Sequence, residues 1–230
     1  MAEIRRSYHE QLEELKHAVV RLGGLATEAI AAGTQALLEA DLAAADRVIT
    51  GDIFLDDLTR SIEERAYQLL ARQQPMASDL RMLVTVLRII HEIERTGDLM
   101  QNVAKTTRRL YPAELPPKVR GLIARMGSQA ALQLRVAVEA FASQDAAQAL
   151  ALVDMDDVMD ELQRELFRCI FAQGGTAGDE ATLQQAVQTA LVGRYYERIA
   201  DHAVNVGQRV AYMVTGEFPA EPPVGEVALG

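Results

Sequence analysis

Apolar residues recur along this chain at helical spacing. Leu55, Leu58, Ile62 and Leu69 mark one stretch, and Leu80, Leu83, Leu87 and Ile90 mark another, the three-and-four rhythm of a helix with one buried face. No stretch alternates apolar and polar residues between hairpin turns, as a half-buried strand would. The seven prolines, at 75, 112, 116, 117, 219, 222 and 223, leave 1–74, 76–111 and 118–218 free of helix breakers. These stretches are rich in Ala, Leu, Glu, Gln and Arg, all good helix formers. Asp41 and Asp145 each precede an Ala-rich run as N-caps, Gln74-Pro75 closes one helix, and the run Gly174-Gly175-Thr176-Ala177-Gly178 closes another. The expected fold is all-α, with six helices over roughly 3–40, 42–72, 76–110, 117–143, 146–173 and 179–215.

The pattern occurs twice. At an offset of 104, Arg21, Gly23, Ala26, Asp41, Asp52, Asp56, Leu58 and Arg60 meet Arg125, Gly127, Ala130, Asp145, Asp156, Asp160, Leu162 and Arg164. At an offset of 103, Glu94-Arg95-Thr96-Gly97-Asp98 meets Glu197-Arg198-Ile199-Ala200-Asp201, and Asn102-Val103 meets Asn205-Val206. An ordered series of matches is far harder to reach by chance than any one of them. Two three-helix repeats are expected, over 1–113 and 114–216, joined across the Pro112 to Pro117 seam and followed by a loose tail at 217–230.

Charge and composition narrow the partners. The 33 acidic residues exceed the 23 Lys plus Arg, for a formal charge of -10. Such a surface disfavours nucleic acid, which rewards release of phosphate counterions, and suits cations or basic partners. Cys169 is the single cysteine and, amid Leu166, Ile170 and Phe171, reads as inert core. No leader-like start is evident. The longest stretch free of charged residues, between Glu180 and Arg194, is shorter than the ~20 residues that span a bilayer. A cytoplasmic protein without a transmembrane segment is expected.

Each repeat carries two acidic pairs at i, i+4: Asp52 with Asp56 and Glu94 with Asp98 in the first, Asp156 with Asp160 and Glu197 with Asp201 in the second. That spacing stacks like charges on one helix face at a cost of a few tenths of a kcal/mol. On a helical wheel Glu94 and Asp98 fall on the Leu87 stripe and point toward the bundle, while Asp52 and Asp56 flank the stripe of the preceding helix. A three-helix unit therefore brings four carboxylates to one rim. Partly desolvated carboxylates so close acquire raised pKa values unless a cation joins them. Oxygen-only ligation points to Mg, Mn, Ca or iron, with Zn admissible where water completes the shell. Asn102 and Asn205, one turn beyond Asp98 and Asp201, extend the same faces as further carbonyl donors. Against this stands the solvated-helix reading, in which Arg95 and Arg198 form surface ion pairs worth ~0 to 1 kcal/mol. Repetition at equivalent places favours metal.

Other chemistry is sparse. Among His9, His17, His91 and His202, only Glu14 with His17 has the spacing of a di-iron bundle motif, which needs two copies, and it reads as a solvated face. His202 follows Asp201 and is assigned a supporting or surface role. No nucleotide-binding loop or nucleophile motif is present.

The strings Gln74-Pro75-Met76-Ala77-Ser78-Asp79-Leu80-Arg81, Glu94-Arg95-Thr96-Gly97-Asp98 and Tyr196-Glu197-Arg198-Ile199-Ala200-Asp201-His202-Ala203-Val204-Asn205, set in two three-helix repeats, resemble the PhoU family over about residues 3–215. The resemblance implies a cytoplasmic, commonly homodimeric regulator that reaches the membrane only through partners. It implies multinuclear clusters of divalent or trivalent metal (iron, Zn, Mn or Mg) on Asp52, Asp56, Glu94 and Asp98 and on Asp156, Asp160, Glu197 and Asp201. Its implied partners are the nucleotide-binding subunit of the phosphate ABC transporter and the regulon's sensor histidine kinase, and its implied effect is repression of the phosphate-starvation regulon. The second repeat departs from the pattern: it lacks a counterpart of Asp79-Leu80-Arg81, and Ala200 stands where the family usually has Gly. A scaffold rather than a catalyst is expected. A metal-free helical adaptor and, after it, a carboxylate-bridged metalloenzyme are the alternatives. With no basic phosphate cradle in the chain, phosphate sensing is expected elsewhere.

Overall fold

The computed structural model describes residues 2–72, 75–174 and 180–217. Among these residues no strand occurs, and the helices are α1 (Ala2–Glu39), α2 (Leu42–Gly51), α3 (Ile53–Arg72), α4 (Ala77–Leu110), α5 (Pro117–Ser143), α6 (Ala146–Leu150), α7 (Leu152–Gly174) and α8 (Glu180–Thr215). The six expected helices are present, but two are bent. The second divides at Asp52 into α2 and α3, and the fifth divides at Ala151 into α6 and α7. Both junction residues keep right-handed helical dihedrals, with φ/ψ of -61°/-29° and -63°/-14°. The Leu55 amide donates to the Asp52 carbonyl and the Met155 amide to the Ala151 carbonyl, so backbone bonding carries on past each junction. The stop at Gln74, the glycine-rich run after Gly174 and the tail from 218 lie outside the described residues.

The capping expectation holds in atomic detail and in duplicate. Ala40 and Gln144 adopt left-handed φ values of 53° and 56°. The following amides, of Asp41 and Asp145, reach back to the carbonyls of Ala36 and Ala140 at 3.0 Å each. This six-to-one bond closes α1 and α5. The same two aspartates then cap the next helix: Asp41 accepts from the Ala44 amide, and Asp145 accepts from the amides of Ala147 and Gln148.

The halves do not bury separate cores. One apolar cluster runs through both, with Leu22 and Ile30 of α1, Leu83 and Ile93 of α4, Ile123 and Phe141 of α5, and Tyr196 and Val206 of α8, all fully enclosed. Each such side chain contributes about 1.5–3 kcal/mol. Helix α4 lies along α8, and α1 along α5. The α1–α5 approach is close at two equivalent points: a β-carbon added at Gly23 would sit 2.3 Å from Val138, and one at Gly127 would sit 2.5 Å from Thr34. Polar ties cross the same seam. The hydroxyls of Thr34 and Tyr196 are 2.7 Å apart, Arg81 Nε donates to the Met213 carbonyl, and His202 Nδ1 meets Glu92 Oε2 at 2.6 Å.

Candidate metal centre

In the first repeat the bend at Asp52 turns α3 so that its first turn faces the middle of α4. Asp52 is buried at 5% exposure and accepts a short hydrogen bond from Gln101 Nε2. Lys105 Nζ in turn donates to Gln101 Oε1 at 2.6 Å. Gly97 makes the approach possible, since a β-carbon there would lie 2.4 Å from Asp52 Oδ1 and 2.7 Å from Leu55 Cδ1. Glu94 is half-buried, while Asp56 and Asp98 are exposed. The cluster's charges act on its two more buried members. Burial first, then the charges of Asp56 and Asp98, push Asp52 up; burial first, then Asp98, Asp56 and Asp52, push Glu94 up.

The second repeat gathers its four acids by a different route. Asp156, on α7, is half-buried and accepts from Gln133 Nε2 of α5 at 3.2 Å, not from α8. Glu197 takes an ion pair from Arg194 on its Oε1, and its Oε2 is buried with no hydrogen-bond partner. Arg164 lies 3.8 Å from Asp160. Burial is the leading cause that raises Asp156, Glu197 and Asp201 above the usual carboxylate range, reinforced by their neighbours' charges, while Arg194 pulls Glu197 and Asp201 back down.

In each repeat the two acidic pairs lie close enough for their charges to act on one another across two helices, but among the described residues no three of the carboxylates converge. Their depths differ from the wheel reading. Asp52, set on the flank, is the deepest of the eight, whereas Asp98 and Leu80, set on or beside the buried stripe, are exposed. The reason is that α4 packs on α1, α3 and α8 at once, so its buried arc is wide and centred on Leu83, Val86, Ile90 and Ile93. Asn205 donates to Glu92 Oε2 at 3.4 Å, and Asn102 lies half-buried on α4. His202 is not at the surface: it is 7% exposed, and its hydrogen bond holds Glu92 below the ordinary glutamate range. Cys169 is buried as expected, but its neighbour Phe171 is exposed and stacks against Phe167 instead. Arg95 faces Glu92 at 3.9 Å rather than Glu94, and Glu14 pairs with Arg65 at 2.9 Å on a solvated face.

The fit to a metal has two sides. Among the described residues no three His, Cys, Asp or Glu side chains converge into a ligand set. The donor chemistry nonetheless suits a hard cation: burial and neighbouring acids raise Asp52 and Glu94 in the first cluster and Asp156, Glu197 and Asp201 in the second, and the buried Glu197 Oε2 has nothing to accept from. Gln101, Gln133 and Arg194 each hold one oxygen of Asp52, Asp156 and Glu197, and the second oxygen of Glu197 is unpartnered.

Those three partners were not legible as site residues from motif spacing. The repeat alignment carried a signal for one of them, because Gln133 falls opposite Ala29 at the offset of 104. Where the second repeat has that buried amide, the first has open space, a groove of about 550 Å³ whose lining includes Ala29, Val48, Leu55 and Asp52.

A family model for the PhoU domain matches residues 19–107 and again 123–210. The chain belongs to the PhoU family. It is 41% identical over 222 residues to phosphate-specific transport system accessory protein PhoU homolog 1 of Mycobacterium leprae, covering 96% of this chain and 98% of that one. It is also 41% identical over 217 residues to PhoU homolog 2 of Mycobacterium tuberculosis, covering 94% and 100%. Among solved structures, PhoU from Pseudomonas aeruginosa superposes with a TM-score of 0.84 at 28% identity over 91% of this chain and all of the other. The phosphate transport system regulatory protein PhoU from Streptococcus pneumoniae gives 0.84 at 26% identity, covering 93% and 100%. The duplicated match assigns one PhoU domain to each half of this all-α PhoU-family bundle. No described helix is long and apolar enough to cross a membrane.

Proposed function

We infer that this PhoU-family chain is an accessory and regulatory protein of phosphate transport that binds metal at its two carboxylate clusters and acts as a scaffold. The regulatory role is supported by relatives named for the phosphate-specific transport system that cover nearly the whole chain. The metal reading is supported by one observation: in each repeat the charges of neighbouring acids on two helices push the more buried carboxylates above their usual range. A bound divalent or trivalent cation supplies the counter-charge those carboxylates lack. Asp52, Asp56, Glu94 and Asp98 would hold it in the first repeat, and Asp156, Asp160, Glu197 and Asp201 in the second. Turning these side chains inward would fix the face shared by α3 and α4, and that shared by α7 and α8, as ordered docking surfaces. The partners the family suggests are the transporter's nucleotide-binding subunit and the regulon's sensor histidine kinase, met at the cytoplasmic face of the membrane by a homodimer, with repression of the starvation regulon as the result. No catalytic step is assigned.

A metal-free adaptor is the second reading. The hydrogen bonds of Gln101 and Gln133 and the ion pair of Arg194 favour it, because they give the carboxylates partners within the chain. Elemental analysis separates the two. Protein purified without tag or chelator should carry metal that falls in the Glu94→Ala plus Glu197→Ala variant; equal, near-zero metal in both leaves only the adaptor. Pull-down with the transporter and kinase subunits tests the regulatory role, and no binding at micromolar protein, with or without metal, counts against it.

A further inference from the structure

The groove left open in the first repeat is built like the seam of a coiled coil. On α1 its lining runs Leu25, Ala29, Ala32, Ala36, and on the facing wall of α2 and α3 it runs Ala44, Val48, Gly51, Leu55, Leu58. Both series step by four and three residues in turn, the spacing that keeps one edge of a helix facing a partner helix. The α1 series covers three turns, about 16 Å. Most of these residues are small, so two helical walls present receiving faces to a space of about 550 Å³ that no described helix fills.

In the second repeat the equivalent place is bridged. At the offset of 104, Leu25 and Ala29 become Gln129 and Gln133. Gln129 Nε2 donates to the Met155 carbonyl at 2.9 Å and Gln133 Nε2 donates to Asp156 at 3.2 Å, tying α5 straight to α7. With leucine and alanine at those positions, α1 has no amide to send across. The opening is therefore a property of the first repeat's side chains and not of the fold both repeats share.

Charge selects the occupant. Glu28, Glu39, Asp41 and Asp52 line the groove against Arg21 and Arg47, so it is net acidic. Asp52 is engaged by Gln101 and Asp41 by the Ala44 amide. Glu28 and Glu39 stay exposed on α1, the first unpaired among the described residues and the second met by the neutral amide of Gln35. Eleven residues apart, they lie on one edge of the helix.

We propose that this groove docks an amphipathic helix of a partner protein, one with large apolar residues along a four-and-three stripe and two basic residues three turns apart on its flank. The large side chains enter the small-residue walls as knobs, and the basic residues meet Glu28 and Glu39. The site does not depend on the metal reading: apart from Asp52, its lining lies outside the carboxylate clusters.

The test uses a fluorescein-labelled peptide of about 20 residues, long enough to hold a helix, with leucines at the four-and-three positions and two lysines three turns apart. A twin carries glutamates in place of the lysines. Binding of both to full-length protein is followed by anisotropy in wild type, in Ala29→Gln plus Ala32→Gln, and in Glu28→Lys plus Glu39→Lys. The first variant narrows the groove without changing charge, and because Ala32 is exposed and Ala29 half-buried it keeps the fold, which far-ultraviolet circular dichroism checks. Wild type should bind the lysine peptide at least tenfold more tightly than its twin. The narrowed groove should lose at least tenfold, and the charge-reversed protein should prefer the glutamate twin. A narrowed groove that binds as well as wild type would reduce the effect to attraction by an acidic surface and overturn the proposal, as would equal binding of the two peptides or no binding at micromolar protein. Sedimentation velocity covers the other occupant: a wild-type dimer that Ala29→Gln plus Ala32→Gln splits would assign the groove to a second copy of the chain and overturn the partner reading.

Discussion

The hydroxyl pair of Thr34 and Tyr196 joins α1 of one repeat to α8 of the other in the middle of the shared core, and its loss should be measurable. Thr34 donates to the Ile30 carbonyl at 2.6 Å, so in the 2.7 Å contact with Tyr196 the tyrosine donates and the threonine accepts. Tyr196 is fully buried, and burial pushes its ionisation far upward, so it remains a donor at every pH of interest. In Tyr196→Phe, Thr34 keeps its own donor bond and loses only an acceptor contact, a cost of about 1 kcal/mol. In Thr34→Val the Tyr196 hydroxyl is stranded in the core, and the cost rises to about 2–3 kcal/mol. In the double variant neither partner is stranded, so the loss should fall well short of the sum, leaving a coupling of about 1–1.5 kcal/mol. Urea unfolding followed by circular dichroism provides all four free energies. Strict additivity, within about 0.3 kcal/mol, would show that the pair contributes nothing across the seam, and a Thr34→Val variant milder than Tyr196→Phe would refute the donor assignment.

Four further outcomes follow from the same structure. Gly97→Ala gains about 1 kcal/mol of helix propensity but crowds Asp52 and Leu55; the net should be a loss of about 1 kcal/mol by urea unfolding, and a gain of the full propensity term would show that the α3–α4 approach is loose. Ala200→Gly, at the equivalent place, should cost about 1 kcal/mol or more, since its buried methyl is already accommodated. Ala40→Gly and Gln144→Gly should each stabilise by up to about 1 kcal/mol in thermal melts, because both residues hold left-handed φ; a drop in either would mean the side chain contributes more than the strain costs. Finally, the folded-state pKa values of Asp52, Glu94, Asp156, Glu197 and Asp201 are raised, so the folded protein binds protons that the unfolded chain has already released. Their contribution to the stability of metal-free protein should therefore rise as pH falls from neutral into the window just above the normal carboxylate range. Replacing Glu197 with Gln should flatten that part of the profile, and an unchanged slope would place Glu197 outside the effect.

What could be read from residues alone was whatever local chemistry decides. The aspartate caps, the helical rhythm and the doubled order depend on neighbours in sequence, and they appear in the structure where expected. The placement of the two acids within each pair was also legible, because i, i+4 spacing fixes it on a helix. Their depths were not: Asp52 became the most buried because α2 and α3 bend at that residue and Gly97 lies opposite, a tertiary event. His202 looked peripheral because its partner, Glu92, is 110 residues away. Gln101, Gln133 and Arg194 carry no motif, and each acquires a role only when a second helix delivers a carboxylate to it. Leu80 shows the converse error, since a stripe drawn through one helix ignores which neighbours that helix will touch.

The shared core carries a consequence for how far the two halves can differ. Equivalent elements face each other across the seam, α1 against α5 and α4 against α8, and the Gly23–Val138 contact has its image in Gly127–Thr34. That is the self-complementary pairing of an isologous two-fold interface, here within one chain. It is the pairing that a single three-helix unit would make with its own copy. With the segment around 111–116 joining the halves, neither half has to match itself, and differences such as Ala29 against Gln133 and His91 against Arg194 stand on one side only. A symmetric dimer of identical subunits has no way to hold two unlike carboxylate clusters; a fused one does.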